Sequence, residues 1–355
     1  MTRWQAFTAI CGALRAGLLG DTRAPDFGNA SWETIIEVGS KYWVTPALGW
    51  CLKNEPGLPA DVKDYFDAAL ALNAERNATI LGALAKIVRI LNGIGITPVL
   101  LKGAARLIDG VYPVPGLRFL GDLDILVPAP QARHAAAYLR DAGWSGDPPE
   151  RHPLPHHHLP MLHDEETGVG VELHTGIVYF SAMMSTDWFL AGAHPHAFEN
   201  GKVLLADPTR QIAHIVVHDQ IDHMNYWRRN LDLRQLLDLT LIRAKCEHAI
   251  DWTAIEAHFA AITHGKLLAN YLKLAETLLG QKMPQLRHAP RLLPTTQIRW
   301  TVDPPPWQPL DRAAQSAIDF IGHRWRDPRG VQALVDPALW PGRLKRFAAA
   351  LKRRP

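Results

Sequence analysis

The chain has 355 residues, 47% of them hydrophobic, enough for two or three packed units with sizeable cores. Its 38 basic and 35 acidic side chains leave a net charge of +3, which argues against the dense basic face of a nucleic-acid binder and predicts no specific nucleic-acid partner. Three scattered cysteines, Cys11, Cys51 and Cys246, exclude a disulfide framework and a cysteine-rich zinc cluster, and predict a reducing, cytoplasmic setting.

At the start, the apolar run "AFTAICGAL" follows Arg3 but is short, and Arg15 interrupts its continuation, so it reads as a packed helix rather than a signal peptide. Trp4, Phe7, Ile10, Leu14 and Leu18 fall at helical spacing on one stripe. No stretch reaches the roughly 18 uninterrupted apolar residues of a membrane span. Helical periodicity continues to about residue 94, broken at "DTRAPDFGNAS" and "KNEPGLP". Asp61 to Asn92 predicts one long helix or two, with Tyr65, Leu70, Leu72, Ile80, Leu84, Ile87, Ile90 and Leu91 as its apolar positions. "GITPVLLKG" then predicts a buried strand, followed by a short helix from Ala104 to Asp109. After the turn "YPVPGLR" come a strand containing Asp122 and Asp124 and a helix from Pro130 to Ala142, closed by Gly143. "HHHLPMLHDEETGVGVELHTGI" predicts two strands joined by a Glu-Thr-Gly turn. From Pro208 helical spacing returns, then "LLPTTQIRWTVDPPPWQP" reads as a proline-rich connection and "RLKRFAAALKRRP" as a basic amphipathic tail. The expected division is an N-terminal helical region (1–78), an α/β core (79–207) and a C-terminal helical region with the tail (208–355).

Asp122 and Asp124 share one face of their strand, their roots about 6 to 7 Å apart, with Leu123 and Ile125 facing the core. Two carboxylates that close repel unless a cation sits between them, and hard oxygen donors suit Mg²⁺ or Mn²⁺. The plainer alternative is a turn-capping aspartate followed by a solvated one. In "GVGVELHTGI" the same alternation places Glu172 and His174 together, opposite Val171 and Leu173. Beside the first strand, Glu172 would complete a three-carboxylate cluster able to hold two metal ions; otherwise it is the polar face of an edge strand. Lys102 and Gly103 end a buried strand where a helix begins, a setting that favours phosphate, although a glycine needed for the turn explains it as well. Arg118 is close enough in sequence to reach a polyphosphate.

In order, "GITPVLLKGAA", "YPVPGLRFLGDLDILV", "HHHLPMLHDEETGVGVELHTGI" and "RRNLDLRQLLDL" resemble the bacterial nucleotidyltransferase-like family of the DNA polymerase β superfamily, over residues 30 to 245. The resemblance implies an α+β fold: a polymerase β-type core with a mixed sheet, flanked by N-terminal and C-terminal helical regions. It implies Asp122, Asp124 and Glu172 as the metal-binding triad, with two Mg²⁺ or Mn²⁺ ions, and Gly103 at the triphosphate. Ala104 stands where the wider superfamily prefers serine, and Lys102 is expected to replace the missing hydroxyl. Relatives of this kind often accompany genes for ribosomally made peptides, including lasso peptides.

His156, His157, His158, His163 and His174 together suggest a zinc site, but strand alternation lets at most two of the first three face it, and the spacing matches no zinc pattern. His174 is expected to orient Glu172 or touch the acceptor, with His158 beside it. His214 and His218, with Asp238, read as helix-packing residues. The expected chemistry is metal-dependent transfer of a nucleotidyl group from a nucleoside triphosphate to a hydroxyl of a small-molecule or peptide acceptor. The alternatives are transfer of a sugar or phosphoryl group from a nucleotide-activated donor to a lasso-type peptide, and a non-catalytic nucleotide sensor.

Overall fold

The computed structural model describes residues 2–23, 25–28, 31–148, 156–290 and 294–303. The basic tail and most of "SGDPPERHPLP" lie outside them. The N-terminal helices are α1 (Arg3–Leu18), α2 (Trp32–Lys41), α3 (Thr45–Leu52) and α4 (Ala60–Gly93). α1 opens on a capping box between Thr2 and Gln5 and buries Phe7, Ile10 and Leu14, the stripe expected of it. α4 is a single helix of 34 residues that runs unbroken past residue 78. Its apolar face differs from expectation in the first half. Tyr65 and Leu72 are exposed, while Asn73 and Asn77 are buried because they hydrogen-bond a loop described below.

Next come β1 (Val99–Leu100), α5 (Lys102–Arg106), β2 (Leu123–Leu126), α6 (Ala132–Asp141), β3 (Trp144–Ser145), β4 (Leu162–Asp164) and β5 (Gly170–His174). α5 starts two residues earlier than expected and has only five residues. After α7 (Thr186–Leu190), β6 (Ala193–Phe198) and β7 (Gly201–Ala206) form an antiparallel hairpin. Sequence reasoning passed over it, although "ENG" between two alternating runs is a turn signal. Helices α8 (Pro208–Val217), α9 (Asn225–Arg228), α10 (Leu233–Cys246), α11 (Trp252–Ala261) and α12 (Gly265–Leu279) follow, then α13 (Pro294–Val302). α13 replaces part of the expected proline-rich connection: Pro294 stands at the first helical position, where its missing N–H costs nothing.

Among the described residues the strands form one seven-stranded mixed sheet in the order β3-β4-β5-β2-β1-β7-β6. β2 pairs parallel with β5 and antiparallel with β1, and β1 pairs parallel with β7. The fold is therefore α+β with a mixed sheet and helical regions before and after it. One face of the sheet, including Leu123, Ile125, Val171 and Leu173, packs on Ile80, Leu84 and Ile87 of α4 and on Leu139 of α6. The other face meets a larger core in which Phe7 and Leu14 of α1 and Leu267, Tyr271 and Leu278 of α12 belong to one cluster. The two helical regions are thus one packed body. No helix among the described residues is long and apolar enough to cross a membrane.

Candidate active site

The segment leading to Asp122 is held by α4. Asn73 donates from Nδ2 to the Gly116 carbonyl (2.6 Å), Asn77 to those of Pro115 (2.6 Å) and Arg118 (2.9 Å), and Arg76 to those of Leu120 and Gly121 (3.0 Å each). Spacing of i, i+3, i+4 puts the three side chains on one helix face. Gly116 permits the contact, since a Cβ there would lie 2.9 Å from that of Ala74. Sequence reasoning missed all three residues. The available signal was polar side chains at inward-facing positions of a helix.

That loop delivers Asp122 immediately before β2 and Asp124 within it, and parallel register sets Asp124 directly opposite Glu172 on β5. Neighbouring strands lie about 4.8 Å apart, so the two carboxylates share one patch of sheet. Lys102, where β1 gives way to α5, brings Nζ to 2.7 Å from Asp124 Oδ1. Its φ of 45° is left-handed, a costly conformation for a side-chain-bearing residue. Gly103 answers to a different demand, close approach: a Cβ would collide with Leu120 at 2.0 Å. His174, fully buried, donates from Nε2 to Asp124 Oδ1 (2.8 Å), and that nitrogen lies 3.6 Å from Glu172 Oε2. His158 Nε2 stands 3.6 Å from the same Glu172 oxygen.

These charges set one another's protonation. Burial, then the neighbouring Asp124 and Glu172, pushes the Asp122 carboxyl up to about 6. Burial would also raise Asp124, but the adjacent Lys102 ammonium and the His174 hydrogen bond outweigh it and hold Asp124 well below the usual carboxylate range. For Glu172 the effect of burial is overcome by the neighbouring His174 and His158, so its carboxyl is lowered. Burial opposes protonation of His174, but its hydrogen bond to Asp124 and the nearby Glu172 carboxylate prevail and raise it. The result is a carboxylate cluster already balanced by cationic groups. Asp124, Glu172 and His174 offer donor atoms within 4.8 Å of one another. Asp122, expected in the triad, is not in that tightest group, but it is near enough to feel the charges of both other carboxylates.

A cavity of about 270 Å³ opens beside these residues. Lys102, Gly103, Asp122, Asp124 and Glu172 line it together with Gln211 and His214 of α8, His218 just after α8, and Arg234 and Gln235 of α10. Arg118 also borders it, but not as expected. Its guanidinium is held by Asp238 of α10 (Nη2 to Oδ2, 2.7 Å; Nε to Oδ1, 3.1 Å), and Nη1 donates to the Phe119 carbonyl. Tyr112 donates to the same Asp238 (2.7 Å). Both members of the ion pair are buried, so Arg118 anchors the Asp122 loop to α10 instead of reaching into the cavity. Burial pushes His214 down to about 3 and His218 well below its ordinary value, consistent with neutral packing histidines.

A separate apolar groove is bordered by Trp43, Tyr65, Leu72, Arg76 and Phe119. Trp43 is 51% exposed, stacks on Phe119 (centroids 4.8 Å, planes 24° apart) and holds a left-handed φ of 58°. Sequence reasoning did not find this groove.

His156, His157 and His158 are half-buried and converge, contrary to the strand alternation expected of them, while His163 is exposed on β4 outside the group. Burial, then the nearby His174 and His158, drives His157 down to about 2.

Against known proteins, residues 28–280 match a family model described as an uncharacterised nucleotidyltransferase. A search of curated proteins returns no match. Among solved structures, an antigenic nucleotidyltransferase-like protein from Paracoccidioides brasiliensis is similar, with 14% identity, a TM-score of 0.35, and coverage of 58% of this chain and 93% of that one.

Proposed function

Because this chain belongs to the family described as uncharacterised nucleotidyltransferases, we propose that it moves a nucleotidyl group from a nucleoside triphosphate to a hydroxyl of a small-molecule or peptide acceptor. The observation that carries the reading is the register that sets Asp124 against Glu172 at a cavity wall, with Asp122 close by and Lys102 alongside.

A divalent cation fits this donor set. The carboxylates are crowded enough to raise Asp122 and to recruit both Lys102 and His174 as counter-charges, which marks a place of strong negative potential. Asp122, Asp124 and Glu172 would hold Mg²⁺ or Mn²⁺, two ions in the full complement, and the metal would neutralise phosphate charge and acidify the acceptor hydroxyl. The acceptor oxygen bonds to the α-phosphorus, the bond to the bridging oxygen breaks, and pyrophosphate leaves with that electron pair. Glu172 takes the hydroxyl proton. Lys102 supplies positive charge to the phosphates, which its place on the cavity wall supports. His174 fixes the orientation of Asp124 through its 2.8 Å hydrogen bond.

For the acceptor we assign the Trp43 groove. It borders Phe119, and three residues of chain span at most about 11 Å, so an apolar group lying there is within reach of Asp122. An acceptor with an aromatic or apolar group near its hydroxyl fits these rings, and a peptide side chain meets that description.

Thermal-shift titration with each nucleoside triphosphate, in Mg²⁺ and in excess chelator, tests the reading, followed by mass spectrometry of candidate acceptors for an added nucleotidyl mass. Stabilisation by a triphosphate only with the divalent ion is the expected result. Equal stabilisation in chelator would remove the metal from the reading.

A further inference from the structure

The cavity beside Lys102 is bordered by polar side chains that the proposed chemistry does not use. His214 of α8 and His218, one turn on, both line it, with ring centroids 5.9 Å apart. Gln211 and Gln235 line it too, but both ends of each amide are engaged. Gln211 donates to the Ala206 carbonyl and accepts from Arg106, while Gln235 joins Asp232 to His218. The two histidines keep bonding capacity in reserve.

The hydrogen on His218 can be placed from a chain of partners that begins at a carboxylate. Burial would raise Asp232, but the charges of Arg234 and Arg118 outweigh it and lower it, so Asp232 is ionised and only accepts. Gln235 therefore turns its amide nitrogen to Asp232 Oδ2 (3.2 Å) and its oxygen to His218 Nδ1 (3.0 Å). An amide oxygen only accepts, so Nδ1 carries the hydrogen. Burial, then the charge of Lys102, holds His218 well below its ordinary value, so the ring is neutral and Nε2 keeps a lone pair. That nitrogen has no hydrogen-bond partner among the described residues, in a residue only 9% exposed. His214 repeats the pattern: it donates to the Ile177 carbonyl, and its Nε2 is buried without a partner. An acceptor left unmet in a cavity wall costs free energy that a ligand's hydrogen recovers.

Position narrows the ligand group. Lys102, which supplies charge to the phosphates in the proposed transfer, is the charge that acts most strongly on both histidines. The unit bonded to the α-phosphate is the sugar, and each of its hydroxyls has a hydrogen to give; the base lies one unit farther. We propose that His218 Nε2, with His214 beside it, accepts a hydrogen bond from a ribose hydroxyl of the donor nucleotide and so selects ribonucleotides over deoxyribonucleotides. The inference rests on the nucleotidyl-transfer reading. A deoxy carbon at that place leaves the nitrogen desolvated and unpaired, which is how a site built for a hydroxyl rejects the analogue that lacks it.

Isothermal titration calorimetry of the full chain in Mg²⁺ compares ATP, GTP, CTP and UTP with their 2′-deoxy and 3′-deoxy counterparts. Each set shares its base, so a contact to the base alone leaves its members equal. The expected result is binding about tenfold weaker once one of the two hydroxyls is removed. In His218→Phe, which keeps a ring but no acceptor, the ribose and deoxy forms should bind alike. His218→Gln, whose amide oxygen can accept in place of Nε2, should keep part of the preference. Gln235→Leu leaves His218 in place but releases its tautomer, and should narrow the same ratio even if His218→Phe fails to fold; circular dichroism checks each variant. A merely structural role would weaken all nucleotides together and leave the ratio unmoved. Equal affinity for ribose and deoxy forms in the parent chain, or an unchanged ratio in the folded variants, would overturn the inference while nucleotide binding stands. If no triphosphate binds, the nucleotidyl-transfer reading falls and this inference falls with it.

Discussion

Glu172 of β5 stands opposite Asp124 of β2 in a parallel register, and His174 spans the two with Nε2 2.8 Å from one carboxylate and 3.6 Å from the other. The proposed transfer gives the two carboxylates different roles. Glu172→Gln keeps shape but removes the proton acceptor, so single-turnover transfer should fall by about a hundredfold or more while nucleotide titrations change little. Asp124→Asn should lose both. Full turnover in the Glu172 variant would remove it from the chemistry.

Lys102, beside His174, is a counter-charge of Asp124. Lys102→Met leaves that carboxylate with His174 alone, and stability should fall by roughly 3 kcal/mol, the lower end for breaking a buried pair. A divalent ion can take over the lost charge. Differential scanning fluorimetry should therefore show a larger Mg²⁺-induced rise in melting temperature for the variant than for the parent chain; an equal or smaller rise would mean that lysine and metal do not address the same carboxylate.

Arg118 and Asp238 make the buried tie between the Asp122 loop and α10. Arg118→Met strands a buried carboxylate and is expected to cost about 3 to 5 kcal/mol by urea denaturation. If Arg118 were instead a phosphate ligand, the variant would unfold normally and only triphosphate affinity would drop.

Asp219 is fully buried in the turn that follows α8, where it accepts from Gln220, Asn225 and the Asp232 backbone. Burial, then the nearby Asp232, raises its carboxyl from 3.8 to about 7. In the folded chain the proton is held more tightly than in the unfolded one, so this group's contribution is complete below about pH 4 and is lost as pH rises through 7. Asp219→Asn lacks that slope. The stability advantage of the parent chain over the variant should narrow between pH 5 and pH 8 in urea titrations, and a constant gap would show that Asp219 does not titrate there.

Trp43 holds a strained backbone to present its indole to the groove. Trp43→Gly relieves the left-handed strain, worth about 1 kcal/mol, while removing the ring. Acceptor KM should rise with little change in triphosphate affinity; an unchanged KM would place the acceptor elsewhere.

Local chemistry made much of this legible in the sequence. Alternation alone placed Asp124 away from Leu123 and Ile125, and Glu172 and His174 together, because a strand has a period of two whatever packs against it. The buried stripe of α1 and the two strands around the Glu-Thr-Gly turn followed from equally local rules. What tertiary structure decided was partnership. No spacing in the chain announces that Arg118 meets Asp238, 120 residues away, or that Asn73 and Asn77 spend a buried helix face on the carbonyls of a loop. The same holds for Lys102, whose ammonium meets Asp124, and for the histidine run, where one bend at His157 undid the alternation that the residues by themselves imply. Periodicity is a property of a single element and is written in its residues, whereas a buried charge or amide takes whichever partner the packing of distant elements brings within hydrogen-bond reach.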